Sequence, residues 1–233
     1  MKIKRLGDGF MMRRLLSLLL ICGVFSFLAV TNKASNAMSV QTGINYDEVA
    51  DLIRKQGKKQ NAYYFPGLFT EELNVDLDPE LEVLARTHGG VHLGDFFIFD
   101  KQSEGSYKLI FEQPWNVESW DIEHTHADLL TPLVRIITLT GGTGLDVREA
   151  HLMYMHDRGV WTEAWIGTLK ERTVFEDNVH LIMGSYQLND DNGQLFYWQT
   201  VMDVSLETNE QIRKPQTTLK VYELMNGRFV EKN

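Results

Sequence analysis

From residue 73 to the end of the chain, short apolar runs alternate with turn signals, and no helix-length pattern interrupts them. The runs are 81–86, 95–99, 107–112, 133–140, 150–156, 161–168, 179–188, 194–204, 217–224 and 228–231. Between them stand Ser103-Glu104-Gly105, His156-Asp157-Arg158-Gly159, Asn189-Asp190-Asp191-Asn192-Gly193 and Met225-Asn226-Gly227. These turns are rich in residues that reach positive φ or hydrogen-bond their own backbone. The expected fold is therefore mainly β: antiparallel meander sheets, arranged as propeller-like blades, a sandwich or a barrel. The run FFIF (96–99) is apolar on both faces, which places it between layers. One short helix is expected ahead of the strands, at 46–60. Val49, Leu52 and Ile53 fall there at helical spacing, acids precede bases, and Gly57 is the stop signal. Tyr63, Tyr64, Phe65, Leu68 and Phe69 surround Pro66-Gly67 and read as a core-anchoring turn.

The N-terminal residues have a different character. Leu15–Val30 is an uncharged run of 16 residues, Arg13 and Arg14 precede it, and Ala34-Ser35-Asn36-Ala37 follows it. A charged head, an apolar middle and a small-residue cleavage site form a signal-peptide pattern, here residues 1–37. The run is short for a helix that crosses a bilayer, which takes about 20 residues. The membrane is thus expected as a partner only through this segment if it is uncleaved. Met11 or Met12 is a second expected start. Residues 38–72 read as an entry segment carrying the helix, and 73–233 as the antiparallel β domain. Residues 1–37 carry six of the 23 Lys and Arg and one of the 32 Asp and Glu, so the remainder has a net charge of −14 against −9 for the whole chain. Such a surface repels nucleic acid. Cys22 is the only cysteine, so residues 38–233 have neither a disulfide nor a thiol nucleophile.

Three segments share a hairpin design in which an aromatic ends one strand and another opens the return strand after a polar glycine turn. They are 96–111, 150–165 and 219–230, with Phe99, Tyr154 and Tyr222 spaced 55 and then 68 residues apart. Thr87-His88-Gly89-Gly90 leads the first, and Thr140-Gly141-Gly142-Thr143-Gly144 the second. The stretch VDLDPELEVLARTHGG (75–90) with the FFIFDKQSEGSYKLIFE that follows resembles a degenerate FG-GAP/VCBS-type β-propeller repeat of the integrin-α sort. The resemblance covers 75–112, extends more weakly over 133–168, and is reduced to the hairpin near 217–231. It implies a β architecture and an extracytoplasmic role. The family's loop runs Asp-x-Asp-Gly-Asp-Gly, whereas here Asp76 and Asp78 are followed by Pro79 and Glu80. Two Asp and one Glu fall short of the six or more oxygens of a calcium site, so the resemblance does not extend to one.

Six of the seven histidines lie between residues 88 and 156. His88 and His92 flank Gly89-Gly90-Val91, and His124 and His126 stand two apart in WDIEHTHAD (120–128). On a strand an i,i+2 pair shares a face and can grip a metal, so His88, His92, His124 and His126 are the candidate ligands of a divalent ion. A turn at 124–126 removes that logic, and no cofactor is otherwise expected. Gly141–Gly144 precedes a strand pattern, not the helix that a phosphate loop needs. Glu163, Glu171, Glu176 and Asp177 are carboxylates whose separation linear sequence does not give. Trp161 and Trp165 have the same parity on one expected strand, which makes them the candidate ligand-binding platform for a sugar. No Gly-x-Ser-x-Gly and no His-Glu-x-x-His occurs. The expected function is that of a bacterial, secreted or cell-envelope, non-enzymatic protein with a binding or structural role. Its expected partner is another protein or a cell-wall glycan. A metal-dependent hydrolase using the histidines and a carbohydrate-binding module using the tryptophans are the alternatives.

Overall fold

The computed structural model describes residues 43–232 except 60–61, 77, 91–92, 125–128, 130, 157–159 and 190–191; at His124 it describes the backbone alone. The expected signal segment lies outside the described residues, as do His92 and His126. Among the described residues no helix is long and apolar enough to cross a membrane.

Helix α1 runs Tyr46–Gln56. Asn45 opens it with a reciprocal cap: its side chain accepts from the Glu48 N–H (3.0 Å), and the Glu48 carboxylate accepts from the Asn45 N–H (3.2 Å). Asp47 and Glu48 in the first turn and Arg54 and Lys55 in the last complement the helix dipole, and Gly57 caps the end as expected. Val49, Ala50 and Ile53 form the buried stripe.

Twelve strands follow among the described residues. The first four are β1 (Phe69–Leu73), β2 (Glu82–His88), β3 (Gly94–Lys101) and β4 (Tyr107–Gln113). They make one antiparallel sheet in chain order. The next eight are β5 (Val117–His124), β6 (Leu133–Gly142), β7 (Leu145–His156), β8 (Val160–Phe175), β9 (Asn178–Asn189), β10 (Gln194–Ser205), β11 (Gln216–Met225) and β12 (Arg228–Glu231). They form a second sheet, again in unbroken chain order. Among the described residues the fold is thus mainly β, a meander with one α-helix. Of the three arrangements the sequence leaves open, the strands adopt packed sheets. The repeated hairpins do not occupy separate blades: β7–β8 and β11–β12 belong to one continuous sheet, and β3–β4 to the other.

β3 explains the layering. Phe97 and Phe99 pack with Val83, Ala85 and Tyr63 against Val49 and Ile53 of α1. Phe96 and Ile98, on the opposite face, pack with Leu84 against Val134, Ile136, Met153 and Met155 of the second sheet. All four side chains of FFIF are completely buried, as a strand between two layers requires. The other face of the second sheet builds a third core from Leu133, Leu152, Trp165, Leu195, Tyr197 and Phe229. In a flat sheet β8 and β12 would lie about 19 Å apart, yet they touch. The eight strands therefore curl, bringing the β11–β12 turn onto β7. Gly227 in that turn has φ +77, and a Cβ there would lie 1.9 Å from the Tyr154 hydroxyl.

Candidate binding cleft

One end of the first sheet carries a cleft of about 310 Å³. Lys59, Tyr64, Thr87, Leu93, Asp95 and Pro114 line it. That volume is at the lower end of small-ligand sites, about the size of one sugar ring or amino acid. The chain reaches it from three directions: the loop after α1 supplies Lys59, the end of β2 supplies Thr87, and the start of β3 supplies Asp95.

The charged pair at the cleft is Lys59 Nζ with Asp95 Oδ1, 2.5 Å apart. The two side chains differ in environment, with 44% of Lys59 exposed but only 9% of Asp95. Burial raises the Asp95 carboxyl above its ordinary value, and the Glu112 charge adds to the rise; the hydrogen bond and charge of Lys59 work against it. The Asp95 N–H donates to Thr87 Oγ1 (3.1 Å), which fixes the strand end beneath the carboxylate.

A polar network holds the Lys59 loop in place. The Tyr63 hydroxyl donates to Glu112 Oε1 (2.7 Å) and accepts from the Lys59 N–H (2.8 Å). The Lys58 N–H donates to Glu112 Oε2 (3.0 Å). Glu112 is buried at the end of β4, so β4 is the anchor for the loop. Burial, with help from the neighbouring Glu112 carboxylate, keeps the Tyr63 hydroxyl well above the usual phenol range and hence neutral.

The sequence candidates are dispersed around this frame. His88 ends β2 next to the cleft, exposed, with Nδ1 2.9 Å from Asn116 Oδ1. His124 ends β5. Asn116 immediately precedes that strand, so eight residues at about 3.3 Å each put His88 and His124 roughly 25 Å apart along it. The structure does not bring these two together.

Trp161 and Trp165 do not share a face. Register shifts between Leu152 and Met153, with Leu152 opposite Trp165 and Met153 opposite Glu163, leaving Ala164 as the extra residue of a bulge. That insertion inverts the parity. Trp161 packs between the sheets, 6.0 Å from the Phe111 ring, while Trp165 is buried in the curled face against Tyr186, Tyr197 and Tyr222.

Glu163, one of the four carboxylates, has a partner that linear sequence does not reveal. His151 Nδ1 lies 2.8 Å from Glu163 Oε2, and His151 Nε2 lies 3.1 Å from Thr138 Oγ1. Hydroxyl, imidazole and carboxylate stand in the order of a nucleophile relay. Thr138 and His151 are both buried, however, and the Trp115 ring stacks on the imidazole at 4.4 Å. The trio acts as a polar tie across β6, β7 and β8, running from the buried Thr138 and His151 to Glu163, whose side chain is 38% exposed.

No family model, curated protein or solved structure matches the chain.

Proposed function

We propose that this chain is an exported, non-enzymatic β-rich protein that binds a small polar group of a cell-wall glycan in the cleft at Lys59 and Asp95. The observation that carries the reading is Asp95. Its carboxylate is withdrawn from water at a cleft, with its pKa raised, and it pairs with a half-exposed ammonium. A desolvated, perturbed charge at a cleft is a candidate recognition group with a physical rationale. An ammonium and a carboxylate side by side suit a ligand that both donates and accepts charged hydrogen bonds, such as an amino-sugar or a stem-peptide residue. Export rests on the pattern of residues 13–37, and the glycan on that destination.

Co-sedimentation with purified peptidoglycan tests the reading. The native chain is expected in the pellet, and Lys59→Ala and Asp95→Asn in the supernatant. A native chain that stays in the supernatant, or variants that pellet equally well, would refute it. The hydrolase reading is weakened by the separation of His88 from His124, and the tryptophan platform by the bulge at Ala164.

A further inference from the structure

The opposite end of the first sheet holds an unrelated group of side chains. Asp76 lies in the β1–β2 turn, Glu82 is the first residue of β2, and Asp100 is near the end of β3. Each offers a carboxylate oxygen, and the three oxygens all lie within 4.8 Å of one another. Val83 pairs with Phe99, so Glu82 and Asp100 come next in register and point to the same side of the sheet. This is the side of Leu84, Phe96 and Ile98, the core between the two sheets.

Glu82 sets this group apart from a solvated acidic patch. Its side chain is completely buried. Oε2 accepts the Val75 N–H at 2.8 Å, while Oε1 is buried with no hydrogen-bond partner. Among the described residues no Lys or Arg forms an ion pair with Asp76, Glu82 or Asp100. Lys108 stands opposite Asp100 in the β3–β4 register yet is exposed and unpaired with it. A carboxylate inside a core with one oxygen unpartnered and no counter-charge is among the most expensive groups a protein can hold. What the cluster lacks is a cation.

We infer that Asp76, Glu82 and Asp100 form a binding site for a calcium ion that ties the β1–β2 turn to β3. Oxygens ligating one calcium at 2.3–2.6 Å stand at most about 5 Å apart, and the three carboxylates meet that limit. An all-carboxylate donor set suits a hard cation, and a fully buried acid as one ligand supplies the rigid wall of the site. Asp76 and Asp100 are only half-buried and Asp78 is exposed, which leaves an entry path. Magnesium usually takes one or two carboxylates in strict octahedral geometry, so three convergent acids favour calcium. The truncated Asp76–Asp78 loop is too poor for a site by itself. Glu82 and Asp100 bring two carboxylates to Asp76 from outside the loop, Asp100 24 residues further along the chain, and water completes the six or more oxygens that calcium takes.

The test is calcium titration of chelator-stripped, purified protein, followed by calorimetry and thermal denaturation. One calcium per chain is expected to bind, with Tm raised by about 4 °C at ten times Kd. Glu82→Gln is expected to abolish both the heat and the shift. Asp100→Asn, which alters a half-buried position and leaves the core intact, is expected to weaken binding at least tenfold. If Glu82→Gln fails to fold, Asp100→Asn carries the test alone. No heat and no Tm shift at 10 mM calcium in the native chain would overturn the inference. A calcium response that Asp100→Asn leaves at full strength, or an equal response to magnesium, would also overturn it.

Discussion

Asp95→Asn separates a binding residue from a structural one. A buried ion pair that serves the fold loses stability when one partner is removed, because a charge is left unpaired in the interior. Here the charge left behind is Lys59, whose side chain is 44% exposed and can rehydrate. The attraction that is lost is therefore screened, at about 1 kcal/mol. The cost that is removed is the desolvation of a carboxylate only 9% exposed, which is several kcal/mol for a buried ion before compensation. The amide retains an oxygen for Lys59 but buries an N–H donor without a partner, which costs about 1–3 kcal/mol. The balance is a gain of about 1 kcal/mol, or about 3 °C in Tm for a chain of this size. The pH dependence has a definite sign. Because the folded pKa of Asp95 is raised, the folded state binds the proton more tightly than the unfolded state does. The carboxylate's charge thus costs stability at neutral pH, and the cost disappears as pH falls through the folded pKa toward the unfolded value near 3.9. Thermal denaturation of both proteins at pH 7.5 and at pH 4 is the assay. Asp95→Asn should melt at or above the native chain at pH 7.5, with the gap closed at pH 4. A drop of more than about 3 °C at pH 7.5, or a gap that does not change with pH, would show that the pair serves the fold and refute the reasoning.

Glu112→Gln replaces an acceptor of the Lys58 N–H or the Tyr63 hydroxyl with a donor, and should cost about 1.5–3 kcal/mol by urea denaturation. His151→Ala removes the tie between Thr138 and Glu163 and opens a void beneath Trp115. A loss of about 2–4 kcal/mol is expected in the same assay, and a neutral result would mean the trio is not a structural unit. Gly184→Ala would place a Cβ 1.9 Å from the Thr168 carbonyl oxygen, which is backbone and cannot swing aside. It should therefore lower Tm by at least about 4 °C, measured by calorimetry, if β8 and β9 approach as closely as described.

The ten expected strands and the helix are all present, because each has either an apolar run or a cap that local chemistry dictates. The two strands not foreseen, β1 and β5, share a physical reason. Each is an outer strand of its sheet. Edge strands carry charge on the face they show to water, and FTEEL and VESWDIEH do so. Their sequences therefore lack the apolar run that β4 and β12, also outer strands, still carry as LIF and FV. The tryptophan pair was legible as two residues of equal parity but not as two faces, since a bulge at Ala164 leaves no signal in a stretch without glycine. The cleft was the least legible part. Lys59 and Asp95 are 36 residues apart and Tyr63 and Glu112 are 49 apart, and nothing local to any of them announces its partner. The buried Glu82 was hidden for a similar reason: in DLDPELE it reads as one more solvated acid, and only its pairing at the start of β2 puts it inside.

Backbone amide NMR of the isotope-labelled protein, titrated with soluble peptidoglycan fragments, tests the binding assignment most directly. Concentration-dependent shifts are expected to be confined to the cleft, at Lys59, Thr87, Leu93 and Asp95, with the same fragments leaving Lys59→Ala unshifted. Shifts centred on the curled sheet around Trp165, or none at millimolar fragment, would contradict it.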